Sequence, residues 1–387
     1  MDIVSRRALT KVVRDRYWRA SKKEKHTILD EFVANTGYHR KYALALLHKR
    51  SRPPASEGQR RRTRTYTQEV ADALIFIWEV CHHIGPRRLQ PFLQEMVPAL
   101  ERHGEIVLTA ATRQLLLTMS ISTVDRLLKP ARRRLTPHGR STTKPGTLLK
   151  KRIPIRTWAG WDDAKPGFLE VDLVAHCGES TSGAYLETLD CVDVATAWCE
   201  CLVPRNQGQQ AVFAALVEVR QRLPMPLLGI DSDNDSAFIN RHLERYCVQE
   251  KLTFTRGRAY QKNDQAHVEG KNWTVVRQFV GYDRYEGDVA RAELNALYKD
   301  LRLYVNFFQP VRKLKEKTRR LDGKVKKVYD RAQTPYQRVL ASPDVTDADK
   351  DKLRVLYLTL NPVTLHNAIE KQLDHLWQMH VTRHRPE

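Results

Sequence analysis

Across residues 161–285 the hydrophobic pattern switches repeatedly between a period of two and one of about 3.6, and this restricts the fold more than any other feature. The segment GFLEVDLVAHC alternates around Asp172 and predicts a strand, and AYLETLDCVDVATAWCECLVP predicts two more with a turn near Val192 to Thr196. GQQAVFAALVEVRQRL has the spacing of an amphipathic helix. The apolar run before Asp231 reads as a buried strand, and the residues after it show helical spacing at Phe238, Leu243, Tyr246 and Cys247. A short strand, LTFTRG, and a helix through HVEGKNWTVVRQFVG, ended by Gly281, complete the segment. Three consecutive strands followed by alternating helices and strands imply an α/β sheet.

Asp231, Asp233 and Asp235 stand where the fourth strand enters a helix. A calcium loop would need glycine at the sixth position and glutamate at the twelfth, but Ser236 and His242 occupy them. Strand ends in α/β sheets often carry functional groups. On this stretch alone, a polar turn with Asp233 or Asp235 as helix cap remains the other reading.

The chain has 387 residues, 41% of them hydrophobic, which is enough for several packed cores. No run approaches the roughly 18 apolar residues of a membrane span, and MDIVSRRALTKVVRDRYW lacks a secretory signal, so a cytoplasmic chain is expected. The six cysteines form no CxxC pair, and Cys81, beside His82 and His83, has no second ligand cluster at zinc spacing. Reduced, mostly buried thiols are expected. The net charge of +21 is segregated: basic residues outnumber acidic ones 33 to 13 in residues 1–160, fall short at 13 to 18 in 161–285, and lead 20 to 14 in 286–387. Basic flanks around an acidic middle fit phosphate binding outside and cation binding within, with nucleic acid as the partner.

Residues 1–50 read as a helix-turn-helix unit: Ile28, Leu29, Phe32 and Val33 make one apolar face, NTG a turn, and Tyr38–Lys49 a second helix presenting His39, Arg40 and Lys41 to DNA. Residues 51–66 form a Pro- and Arg-rich linker with Arg61, Arg62 and Arg64 as phosphate contacts. Residues 67–137 hold a second helix-turn-helix candidate. In it Ser122 and Asp125 make a capping box, Pro130 stops the helix, and Arg126, Arg132, Arg133 and Arg134 face DNA. Basic helical hairpins also occur in proteins that bind no DNA. Residues 138–159 are a second linker.

The motifs EVDLV, IDSDNDSAFIN and TRGRAYQKNDQAHVEGKNWTVVR resemble those of DDE transposases and integrases of bacterial insertion sequences, in the retroviral-integrase-like superfamily. Asp233–Asn234 is similar to that family's D-N-G-x-x-F, Glu269 to its helix glutamate, and the 35 residues between them to its spacing. The resemblance implies a ribonuclease H-like core over residues 160–285, with Asp172, Asp233 and Glu269 as catalytic metal ligands and Asp231 and Asp235 as accessory groups. It implies two Mg²⁺ (or Mn²⁺) ions per site, about 3.5–4 Å apart, cutting element ends and joining the freed 3′-OH to target DNA. It also implies double-stranded DNA partners (terminal inverted repeats and target), a homo-oligomer on DNA, and a place on the bacterial nucleoid. Asp235 stands where the family has glycine, and GRAY replaces the usual proline before Tyr260. No HHCC zinc module precedes the core.

Around the acidic set, Lys262, Asn263, Lys271 and Asn272 read either as DNA contacts or as a solvated helix face, and Trp273, Val276 and Phe279 as core. Residues 286–387 read as a small basic C-terminal domain. Its Asp322-Gly323 turn between basic runs suggests a hairpin or small barrel, or else a basic loop, and Leu365, Ile369, Leu373 and Leu376 form one helix face. A DNA-binding regulator or decayed copy with an idle site is the alternative function; a nuclease without strand transfer is a weaker one.

Overall fold

The computed structural model describes residues 3–48, 65–135, 165–232, 237–238, 241–256, 266–319 and 325–383. They fall into two compact units divided after Thr65. The first holds α1 (Ile3–Arg19), α2 (Lys22–Thr36) and α3 (Arg40–His48). Ser21 and Glu24 form a reciprocal capping box at the start of α2, and Gly37 ends it at φ 68°, where a side chain would be strained. Ile28, Leu29 and Phe32 of α2 close on Tyr17 of α1 and on Ala43 and Leu47 of α3. This packing leaves His39, Lys41 and Tyr42 exposed at the start of α3, with Arg40 ion-paired to Asp30.

The second unit begins with α4 (Gln68–Val80), α5 (Pro86–Arg102), α6 (Ala110–Thr118) and α7 (Ile121–Leu135). Two expectations for α7 are corrected. Ser120 rather than Ser122 holds its N-terminus, its Oγ accepting the Thr123 N–H at 3.2 Å, while Asp125 accepts Arg132 at 2.5 Å. Nor does the helix stop at Pro130: it runs on to Leu135. A missing amide removes one backbone bond, but buried Val124 and Leu128, with half-buried Leu127 and Ala131 beside them, keep this face on the core.

The sheet contains β1 (Phe168–His176), β2 (Leu186–Asp193), β3 (Cys199–Leu202), then, after α8 (Gln209–Arg222), β4 (Gly229–Ser232), and after α9 (Arg241–Gln249), β5 (Thr253–Arg256). Their spatial order is β3-β2-β1-β4-β5, with β1, β2 and β3 antiparallel and β1, β4 and β5 parallel. The mixed five-stranded sheet is consistent with the expected ribonuclease H-like core. Its β2–β3 turn is fixed by Asp193, which accepts Thr196 N and Oγ1 at 2.7 and 2.6 Å and Gly167 N at 2.7 Å. Gly167 sits at φ 115°, and a Cβ there would lie 2.3 Å from the Pro226 carbonyl oxygen. Gly167→Ala should therefore cost about 2–4 kcal/mol from strain and overlap; denaturant midpoints matching wild type would contradict the clash.

One sheet face, with Leu169, Val171, Leu189 and Ile230, is buried under α8 and α9. The other receives α10 (Ala266–Lys271), a π-helical stretch (Asn272–Arg277), α11 (Gln278–Val280) and the long α12 (Gly287–Phe308). β6 (Leu314–Arg319) and β7 (Val325–Tyr329) pair as an antiparallel hairpin, and α13 (Pro335–Ala341), α14 (Asp347–Thr359) and α15 (Pro362–Arg383) follow. The hairpin's Asp322 and Gly323 lie outside the described residues. Its base is held by Lys313, whose Nζ donates to the Val194 and Ala195 carbonyls at 2.6 and 2.8 Å.

A single apolar core joins α4–α7 to α12–α15 and to Val174, Leu186 and Val192 of the sheet. Tyr304 of α12 donates to the Val80 carbonyl at 2.5 Å, Gln309 to that of Cys81 at 3.0 Å, and Asn361 to Glu105 at 2.6 Å. Ile369 and Leu376 of α15 are buried in the same core. Among the described residues no helix is long and apolar enough to cross a membrane.

Candidate active site

Asp172 and Glu269 come from elements 97 residues apart in sequence, and two hydrogen-bonding arrangements bring those elements together. Glu170, two residues before Asp172 on the same face of β1, is fully buried. Its Oε2 accepts the backbone N–H groups of His267 and Val268, both at 2.8 Å. These amides belong to the first turn of α10, where helix N–H groups have no partner within the helix. The carboxylate thus fixes the start of α10 against β1, immediately before Glu269. One turn on, Asn272 Nδ2 donates to Asp172 Oδ2 at 2.6 Å, while Asp172 Oδ1 accepts Leu173 N–H at 2.8 Å. Glu269 and Asn272, three residues apart, lie along the same side of the helix. Asn272 also opens the π-helical stretch, a rare geometry that recurs at functional sites.

Behind Asp172 lies Asp190, its cross-strand partner and wholly buried. Burial pushes the Asp190 carboxyl up to about 7, with the charge of Asp172 adding to the rise. The Cys199 and Cys201 thiols donate to its Oδ1 at 3.2 and 3.6 Å, and the buried Lys271 ammonium acts in the opposite sense to burial. Lys271 is only 6% exposed. It therefore departs from its expected place as a phosphate contact, serving instead as an internal counter-charge. Asn272 is half-buried and bonded to Asp172, not part of a solvated face. Trp273 is 52% exposed and is corrected from core to surface; Val276 is buried, and Phe279 is half-buried with its ring against His82.

Asp231 is buried and paired in register with Glu170, its Oδ1 accepting Thr255 Oγ1 at 2.6 Å. Asp233 and Asp235 lie outside the described residues, as do Lys262, Asn263, Arg61, Arg62 and Arg64. β4 ends at Ser232, partnered with Val171, the neighbour of Asp172. On α7, Arg126, Arg133 and Arg134 are exposed, while Arg132 is held by Asp125. Sequence reading missed Glu170 and Asp190. Their signal is a carboxylate inside a strand that reads as buried, in LEVD and LETLD.

Hard carboxylate oxygens suit Mg²⁺ or Mn²⁺. The fit is supported by Asn272 Oδ1, a buried oxygen without a hydrogen-bond partner among the described residues, on the side chain already bonded to Asp172.

No family model matches the chain. Over 341 residues it is 42% identical to the uncharacterized protein y4rM of Sinorhizobium fredii (strain NBRC 101917 / NGR234), covering 87% of this chain and 96% of that protein. The chain belongs to that protein's family. Among solved structures, the catalytic core domain of BIV integrase matches 44% of this chain and 91% of its own, at 16% identity and a TM-score of 0.29. The HTLV-2 integrase catalytic core domain in complex with magnesium matches 38% of this chain and 90% of its own, at 12% identity and a TM-score of 0.29.

Proposed function

We propose that the chain is a DNA transposase of the DDE type, cutting the ends of a mobile element and joining them to target DNA. The observation that carries this reading is the convergence of Asp172 and the Glu269 helix through Asn272 and Glu170. Asp233, which follows Ser232 directly in sequence, is the third carboxylate of the proposed set. These three carboxylates would hold two Mg²⁺ or Mn²⁺ ions, which when bound supply charge to neutralise a pentacoordinate phosphorus centre and to acidify the attacking hydroxyl.

The chain's own groups orient and exclude. Asn272 holds the Asp172 carboxylate in one rotamer, Glu170 fixes the approach of α10, and the Lys271 ammonium offsets the carboxylate density behind the site. Water would attack first, releasing a 3′-OH, and that hydroxyl would then displace a phosphodiester of the target. Exposed His39 and Lys41 of α3, Arg126, Arg133 and Arg134 of α7, and the basic hairpin would bind phosphates of the inverted repeats and target. Two ends must be joined, so the working form is a homo-oligomer on DNA, acting on the bacterial nucleoid.

The test is incubation of the full chain and Mg²⁺ with DNA carrying the repeats that flank the gene. Nicks at the repeat ends and joined products are expected; tight binding without either would favour the second reading, a regulator with an idle site, to which Asp235 in place of glycine points. Binding should also weaken by about 10³-fold between 50 and 200 mM salt if six or so phosphates are neutralised. Lys41→Ala should lower the log–log slope by about one. Fluorescence anisotropy at several salt concentrations checks both, and an unchanged slope would remove Lys41 from the interface.

A further inference from the structure

The sequence CHHIGP, set aside as a metal motif for want of a second cluster, acquires one in the fold. α4 ends at Cys81, and the next two residues, His82 and His83, both take left-handed backbone conformations, at φ 51° and 58°. Two consecutive non-glycine residues in that region are strained. The turn directs His82 towards α15, where His366 and Glu370 stand four residues apart on one helix face. The ligand atoms of His82, His366 and Glu370 all lie within 4.8 Å of one another. His82 Nδ1 is 3.9 Å from Glu370 Oε1, too far for a hydrogen bond and far enough for a cation to sit between them.

We propose that His82, His366 and Glu370 form a zinc site that ties the end of α4 to α15. Two imidazoles and one carboxylate are a recurrent Zn²⁺ donor set, and ligand atoms on a tetrahedral ion stand about 3.4 Å apart for bonds of 2.0–2.2 Å. The side chains therefore need only a small contraction. The site is half-buried, with Glu370 exposed, so an ion can enter and a fourth position stays open to solvent. Cys81 points elsewhere: it is fully buried, and its thiol is pushed up to about 12. The His82 ring stacks on Phe279 at 4.3 Å and 18°, at the far end of the helical run that carries Glu269. A metal here therefore braces the support of the candidate active site without belonging to it.

The experiment uses the full chain, stripped with chelator, dialysed and titrated with ZnCl₂ by calorimetry, with Co²⁺ absorption as a second readout of coordination. Wild type and Asp172→Asn should bind one equivalent alike and gain in Tm. Glu370→Gln and His366→Gln, which keep side-chain volume, should bind about 100-fold more weakly or worse, since even groups that only orient a ligand cost 10–100-fold. Loss of zinc in Asp172→Asn would put the ion at the carboxylate site and overturn the assignment. So would wild-type affinity in either ligand variant, or no binding by wild type.

Discussion

Asp172→Asn, Asp233→Asn and Glu269→Gln should each lower strand cleavage by about 10³-fold or more, the scale of losing preorganised charge at a reacting centre, while binding to end DNA stays near wild type. Each substitution keeps side-chain shape and removes one negative charge. In Asp172→Asn, for example, the new amide oxygen can still accept from Asn272. What is lost is a hard anionic ligand, and with it the charge that holds divalent ions where phosphate charge develops. Gel assays of cleavage by the purified variants, with anisotropy on the same DNA, separate the two effects. Near-wild-type cleavage by any one variant would remove that residue from the site. Asp231→Asn is the contrasting case and should keep most activity, because its carboxylate is bonded to Thr255 of the neighbouring strand β5.

Replacing Glu170 should do nearly as much damage by another route. Glu170→Ala leaves the His267 and Val268 amides without their acceptor in a buried place, at about 1–3 kcal/mol for each N–H. The first turn of α10 would fray, and Glu269 and Asn272 would lose their registration on Asp172. Cleavage should fall steeply, DNA affinity should hold, and Glu170→Gln, which keeps one carbonyl acceptor, should recover part of both stability and rate. Chemical denaturation and single-turnover cleavage measure the pair. Equal activity of the alanine and glutamine variants would show that Glu170 does not act through those amides.

The strands and helices of the core were legible because their signals are local: β1, β2 and β3 lie where expected, and β4 and β5 fall at or within the short segments read as strands. The 35-residue interval between Asp233 and Glu269 was legible as a motif. What escaped was decided by distant partners. Glu170 meets amides 97 and 98 residues away. Asp190 is meaningful only opposite Asp172. Lys271 looked solvated because long cations normally are, yet it lies beside buried acids. Trp273 was misread because helical spacing assumes 3.6 residues per turn. The wider π turn buries Val275 and Val276 and turns Trp273 outward. At α7, local cap patterns favoured Ser122, but Ser120 was one turn position better placed.

The shared core of α4–α7 and α12–α15 has a temporal consequence during synthesis. Val80 waits for Tyr304, 224 residues later; Arg102 for the carbonyl of Tyr357, 255 later; and Glu105 for Asn361, 256 later. Contacts of such sequence separation must bear their loop-closure entropy before they yield any stability, so they form late. Helices α1–α3 close on one another and can fold as soon as they leave the ribosome. The sheet, emerging after α4–α7, has one face without its cover until α10 and α12 arrive. A nascent chain thus gains its N-terminal helices well before it has a braced catalytic edge, and the site is among the last parts of the molecule to set.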